Sequence, residues 1–186
     1  MLAAGTSSRM GGGHKLLLPF GDSPLIRSTV RTALASGTDE VAAVTGARAS
    51  DVATALEGLS IQLLENPDYE TGQASSVSVA IDWAESRADG LLLLLGDEPA
   101  IDPAIVRRAV EAWRDSPSVA LRVRYADRPG HPVIVPLPVP EDRRPTGDTG
   151  MRTLLGRVVE FSVARPAPVD VDTEAHYREA LARLRQ

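Results

Sequence analysis

The sequence predicts a three-layer α/β fold with a mostly parallel central sheet and a partly antiparallel extension. Three observations point there. Short β-type runs alternate with amphipathic helical stretches through the first part of the chain. Residues 91–95 are leucine at every position, the pattern of a strand covered on both faces. After Pro117 the alternation loosens, as expected where strands join by less regular connections.

Strands are expected at residues 41–45, 61–65, 91–95, 119–123, 133–135 and 158–163. Helices are expected between them, at 24–36, 50–59, 74–85, 103–114 and 174–184. In 50–59, Val52, Ala55, Leu56 and Leu59 fall on one helical face. Ile26, Val30, Ala33 and Leu34 repeat that spacing in 24–36. Asp102 can cap the helix that Pro103 opens, and Gly37 suits a helix end. Trp83 and Trp113 lie on apolar helical faces and read as core. Residues 129–145 are rich in proline and read as an irregular excursion over the active face. A glycine-bearing loop begins at Ala3, so only Met1 and Leu2 precede it, whereas a strand feeding it needs about five residues. The first strand therefore reads as truncated, with an apolar, β-branched segment expected upstream. No linker separates parts, and residues 1–186 read as a single domain.

Composition narrows the function. Apolar residues make up 43% and charged residues 24%, ordinary values for a soluble globular chain. The net charge of −5 argues against a nucleic-acid partner, although a pocket can be locally basic. With no cysteine, disulfides and thiolate metal sites are excluded. The apolar run at 91–95 is far too short to span a bilayer, and no secretory leader pattern is present. A cytoplasmic protein without membrane association is expected. His14, His131 and His176 lack metal-ligand spacing.

Five stretches carry chemistry. Leu2-Ala3-Ala4-Gly5-Thr6-Ser7-Ser8-Arg9-Met10-Gly11, with Lys15 close behind, combines small residues, which let backbone N–H groups approach an anion, with two mobile positive charges. It is neither the dinucleotide G-x-G-x-x-G nor a Walker A loop. Asn66 to Ser76 follows a strand and opens a helix, placing Ser75 and Ser76 in a first turn with free N–H groups. Asp97 directly follows a buried strand, at the edge where open α/β sheets bind ligands, and a carboxylate there suits Mg²⁺. Gly130-His131-Pro132 and Gly147-Asp148-x-Gly150-x-Arg152 carry glycines that permit close approach. The last, Asp170-Val171-Asp172-Thr173, precedes the final helix, so Asp172 or Thr173 could also be a simple cap. Taken singly, each stretch is also compatible with an ordinary turn or cap.

Together and in this order, the five resemble the molybdenum cofactor cytidylyltransferase family of the MobA-like NTP transferase superfamily. The resemblance runs from Leu2 to about Tyr177. It departs in the step from Gly11 to Lys15, one residue longer than the pattern. It implies a Rossmann-like, GT-A-like nucleotidyltransferase fold and Mg²⁺-dependent transfer of CMP from CTP to molybdopterin, with release of pyrophosphate. By that resemblance Arg9, Lys15 and Asp97 are catalytic. Ala3, Ala4, Gly5, Arg9, Lys15, Asn66, Gly72, Ser75 and Ser76 would bind the nucleotide. His131, Pro132, Gly147, Asp148, Gly150 and Arg152 would line the acceptor, and Asp97 with Asp172 would hold the metal. Ala4 and Ser7 match the L-A-A-G form of CTP users rather than the L-A-G-G form of GTP users. Implied partners are the NTP, the phosphorylated acceptor, and a molybdoenzyme or its chaperone. A sibling transferase acting on a sugar phosphate or phospholactate, a non-catalytic cofactor carrier and a redox enzyme are the other readings.

Overall fold

The computed structural model of the chain describes residues 1–7, 14–147 and 151–184, with Arg152 described by its backbone alone. Strand β1 (Leu2–Ala3) pairs in parallel with β4 (Ala42–Thr45), which pairs in parallel with β5 (Gln62–Glu65). On its other side β1 meets Leu95, just past β6 (Gly90–Leu93), through a single parallel bridge. Leu2 N–H donates to the Leu94 carbonyl at 2.9 Å, and Gly96 N–H donates to the Leu2 carbonyl at 2.9 Å. Beyond β6 lie β8 (Pro129–Pro136), β7 (Ala120–Tyr125) and β9 (Val158–Val163), in that order. β8 is antiparallel to both neighbours, while β9 runs parallel to β7. The described sheet is thus parallel apart from β8 and a small hairpin of β2 (Pro19–Phe20) and β3 (Ser23–Pro24) set outside it.

Helices α1 (Leu25–Leu34), α2 (Ala49–Leu56), α3 (Gln73–Ala84), α4 (Pro103–Arg114), α5 (Arg152–Leu155) and α6 (Glu174–Leu184) complete the described elements of more than one turn. One apolar cluster packs α1, α2 and α6 residues such as Ile26, Val30, Val52 and Ala180 against Ala43 and Leu94. A second joins Val77, Ala80 and Ile81 of α3 to Leu93, Val133 and Val135, and a third joins α4 to Leu121, Val123 and Ile134. Layers on both faces of a sheet follow from burying these stripes. The Asp102 carboxylate caps α4 by accepting the Ala104 N–H at 2.8 Å, as its sequence implies.

One expectation is corrected. Residues 129–145 are not all irregular: the strand expected at 133–135 extends over 129–136 as β8, in the middle of the sheet. Its prolines disguise its first half, because each lacks a ladder donor, and the β7–β8 register breaks between Arg122 and Val123. The run at 91–95 is covered on both faces as its pattern implies, by α3 on one side and α4 on the other. Its antiparallel neighbour β8 belongs to the partly antiparallel extension. A cavity of about 980 Å³ opens between the N-terminal ends of β4 and β6, lined by Met1, Ala42, Leu91 and Trp113. It lies toward the end of the sheet opposite Asp97. No helix among the described residues is long and apolar enough to cross a membrane.

Candidate active site

β6 ends at Leu93, Leu94 and Leu95 carry the chain onward, and Asp97 emerges two residues after Leu95 at the C-terminal edge of the sheet. Gly96 makes this turn possible: a Cβ there would lie 2.9 Å from Ile26 Cδ1 and 3.0 Å from the Leu2 carbonyl oxygen. The Asp97 carbonyl accepts the Val171 N–H at 2.9 Å, which docks the segment before α6 against the end of β6. Asp172 is thereby brought beside Asp97. Capping of α6 falls to Thr173, whose hydroxyl accepts the His176 N–H at 3.2 Å. Its neighbour Asp172 instead enters the cluster.

Lys15 opens a short 3₁₀ turn, Lys15–Leu17, and its N–H donates to Ser7 Oγ at 3.2 Å. Its ammonium donates to Asp97 Oδ2 at 2.5 Å and to Asp172 Oδ1 at 2.7 Å. The three side chains are 14%, 20% and 30% exposed, so a cation held by two carboxylates sits at the rim of a cleft rather than in bulk water. Burial alone would lower the Lys15 pKa, but the two carboxylates outweigh it and hold the ammonium above its ordinary range.

Behind this triad lies a second polar group. Glu98 is 2% exposed, and both its oxygens meet His131 Nδ1, at 2.9 and 3.0 Å. Burial pushes the Glu98 carboxyl up to about 7, with the neighbouring Asp170 adding to the rise and His131 opposing it. For His131, burial acts downward, yet the Glu98 charge outweighs it and raises the imidazole. Tyr125 OH donates to the His131 carbonyl at 2.8 Å and pins β8 at this point.

A third group shapes the neighbouring loop. Asn66 is buried, and its amide donates to Ser75 Oγ and Ser76 Oγ, both at 2.9 Å, while its Oδ1 accepts the Asp68 N–H at 3.0 Å. Gly72, at φ 116°, leads into α3 in a conformation that favours glycine. The Asn66 amide donors therefore serve the loop's own shape, and Ser75 and Ser76 stand at the start of α3.

The model of the MobA-like NTP transferase domain matches residues 1–161. The chain belongs to the MobA-like NTP transferase family. Among curated relatives of this MobA-like chain, nicotine blue oxidoreductase of Paenarthrobacter nicotinovorans is 30% identical over 162 residues, 83% of this chain and 79% of that one. Molybdenum cofactor cytidylyltransferase of Escherichia coli (strain K12) is 30% identical over 137 residues, 73% of this chain and 68% of that one. The crystal structure of Rv0371c from Mycobacterium tuberculosis H37Rv superposes with a TM-score of 0.85 at 35% identity, covering 97% of this chain and 95% of that one. The same protein has also been crystallised in complex with manganese, a structure that superposes with a TM-score of 0.78 at 34% identity over 97% of this chain and 95% of that one. The nucleotidyltransferase fold expected from the resemblance is thus the fold this MobA-like domain has.

Of the residues singled out in the sequence of this MobA-like domain, Lys15, Asp97 and Asp172 converge, and so do Asn66, Gly72, Ser75 and Ser76. Ala3 belongs to β1. Ala4 is buried, its carbonyl accepting the Ala47 N–H at 3.2 Å. The Gly5 carbonyl lies 3.1 Å from His14 Nε2. His131 and Pro132 lie on β8 beside Glu98, and Gly147 adopts φ 56°. Arg9, Asp148 and Gly150 lie outside the described residues. Arg152 begins α5. The described residues contain no group of three or more His, Asp or Glu poised around one ion. Mg²⁺ commonly takes one or two carboxylates and fills its shell with phosphate oxygens and water, which the Asp97–Asp172 pair suits.

Sequence reasoning gave no role of their own to Gly46, Tyr69 and Asp170. A Cβ on Gly46 would lie 2.6 Å from Tyr69 Cβ and 2.8 Å from Ala4 Cβ, so the end of β4 must be glycine for both loops to close over it. Gly46→Ala should lower unfolding stability by about 1–3 kcal/mol through overpacking. Urea denaturation checks this, and an unchanged midpoint with an unchanged slope would show that the loops give way freely.

Proposed function

We propose that the chain transfers a nucleoside monophosphate, CMP in preference, from its NTP to a phosphorylated acceptor of the molybdopterin type. The observation that carries the reading is the convergence of Asp97, Asp172 and Lys15 at the C-terminal edge of the sheet. An acceptor phosphate oxygen attacks the α-phosphorus, the bond to the β-phosphate oxygen breaks, and pyrophosphate departs. Asp97 and Asp172 hold a divalent cation, Mg²⁺ or Mn²⁺, which when bound neutralises phosphate charge. Lys15, exchanged off the carboxylates, turns its charge to the phosphates, and Arg9 adds a second. The loop from Ala3 to Gly5 supplies backbone N–H groups, and Asn66 to Ser76 forms the wall for base and ribose. His131, Pro132, Gly147, Asp148, Gly150 and Arg152 form the acceptor side. Such catalysis is positioning and charge stabilisation, with no covalent protein intermediate.

Support for the acceptor comes from the Escherichia coli relative, and for the cation from the manganese complex of Rv0371c. Support for CTP comes from Ala4, which is buried and stands where GTP users of the family carry glycine. Incubating the purified protein with Mg²⁺ or Mn²⁺, each NTP and molybdopterin should release pyrophosphate. The kcat/KM for CTP should exceed that for GTP at least tenfold, about 1.4 kcal/mol. A preference for GTP would remove the cytidylyl assignment and leave the transferase standing, whereas no pyrophosphate with any NTP and acceptor would sink the transferase.

The similarity to nicotine blue oxidoreductase favours one second reading, a hydride-transfer role for the same cleft. It calls for oxidation of NADH or NADPH with a quinonoid dye, unaffected by loss of Asp97 and Asp172.

A further inference from the structure

We infer that His14 is a positioning residue for the NTP's polyphosphate: its ring holds the Gly5–Thr6 peptide so that the Thr6 N–H, and not the Gly5 carbonyl, faces the phosphates; this rests on the transferase reading above. The chain leaves the sheet after Ala3 and returns to the charged cluster at Lys15, and His14 is the last residue before that return. Its ring is 5% exposed, and Nε2 lies 3.1 Å from the Gly5 carbonyl oxygen. A carbonyl can only accept, so Nε2 carries the proton and donates. Nδ1 is then the bare acceptor of a neutral ring, and among the described residues nothing bonds it. A proton added there would find no acceptor. Burial lowers the His14 pKa in the same sense, helped by Arg48 and Lys15 and opposed by the Gly5 bond and Asp51.

The direction of one peptide follows. The Gly5–Thr6 bond is trans, so the Gly5 carbonyl and the Thr6 N–H point opposite ways. With the carbonyl turned inward to a buried ring, the N–H is turned outward. Gly5 and Thr6 are both exposed, and a Cβ on Gly5 would meet no described residue within 4 Å. Among the described residues nothing accepts the Thr6 N–H. A free N–H past the end of β1, on the loop that Lys15 closes, is a donor for an anion. Lys15 N–H donates to Ser7 Oγ at 3.2 Å, so two bonds tie the start of the loop to its end. Ser7 takes φ 56°, a left-handed conformation that costs a serine energy and needs such a bond to hold it. Without the His14 ring the Gly5–Thr6 peptide is free to turn over, and its carbonyl oxygen would then repel the phosphates.

The test uses the full chain labelled with ¹⁵N-threonine, with Thr6→Ser identifying the Thr6 amide signal. In the wild type that signal should move on titration with inorganic pyrophosphate. His14→Phe keeps a buried aromatic ring and removes the donor, so the movement should be lost. KM for CTP should rise roughly tenfold, the equivalent of one hydrogen bond to a charged group, with KM for the acceptor unchanged. His14→Gln, whose amide can place an N–H near the position of Nε2, should recover most of both. His14→Asn, whose shorter amide reaches only as far as Nδ1, is the second variant should His14→Phe not fold, and the same losses are expected of it. A wild-type Thr6 amide indifferent to pyrophosphate overturns the inference, even if transfer proceeds. Equal rises in both KM values, or no recovery in His14→Gln, would reduce the ring to a packing contact. A Thr6 amide that answers pyrophosphate only when His14 is present, in a protein that releases no pyrophosphate from any NTP, would leave this inference standing and defeat the transferase reading instead.

Discussion

Asp97→Asn is expected to leave the fold intact and to cut turnover by a factor on the order of 10² or more. The substitution keeps the shape of the side chain and leaves the backbone bond from Val171 N–H to the Asp97 carbonyl undisturbed. What it removes is one of the two negative charges that meet at the Lys15 ammonium. An amide is a poor ligand for a hard divalent cation, so Mn²⁺ binding should weaken in the same variant. Circular dichroism checks the fold, single-turnover kinetics the chemistry, and Mn²⁺ electron paramagnetic resonance the ligand. Near-normal turnover with Mg²⁺ would show that Asp97 is only a counter-ion for Lys15.

Lys15→Ala should slow transfer by an amount corresponding to roughly 2–4 kcal/mol of transition-state stabilisation, if its charge reaches the transferring phosphates. The structure adds a second, opposite expectation. Lys15 sits between the carboxylates of Asp97 and Asp172, where it competes with any divalent cation. Its removal should therefore tighten Mn²⁺ binding to the free protein while damaging catalysis. A general loosening of the site would weaken both. Wild-type kinetics together with unaltered Mn²⁺ affinity would show that Lys15 is merely a solvated charge at the cleft rim.

Much of the architecture is legible along the chain because local pattern and tertiary burial agree. The strand at Val158–Val163 and the helices Pro103–Arg114 and Glu174–Leu184 fall where their residues place them. α2 stops at Leu56 rather than at 59, since Gly58 takes φ 79° and ends it. The β2–β3 hairpin has two residues per strand, and α5 only four, too few for a periodicity to register. Of β8 only 133–135 was legible, its earlier residues masked by Pro129 and Pro132, and its antiparallel course is set by partners on either side that no local pattern names. In the site, Asp97 was legible from its place after a buried strand. Its partnership with Lys15 was not, because the two are 82 positions apart and meet only after the sheet has formed. Glu98 was visible as an adjacent carboxylate but not as a buried one. Its burial depends on β8 and on the segment carrying Asp170, which pack around it from later in the chain.

The bond between Val171 and Asp97 has a consequence for the order in which the molecule becomes competent. Lys15 and Asp172 are 157 positions apart, and their meeting requires that segment to have docked. Undocking of that one segment parts Asp172 from Asp97 and Lys15 together, because the same short stretch carries both the backbone tether and the second carboxylate. The three charges therefore assemble and come apart with the strap before α6 as a unit, and the strength of a single tether sets how often the corner exists.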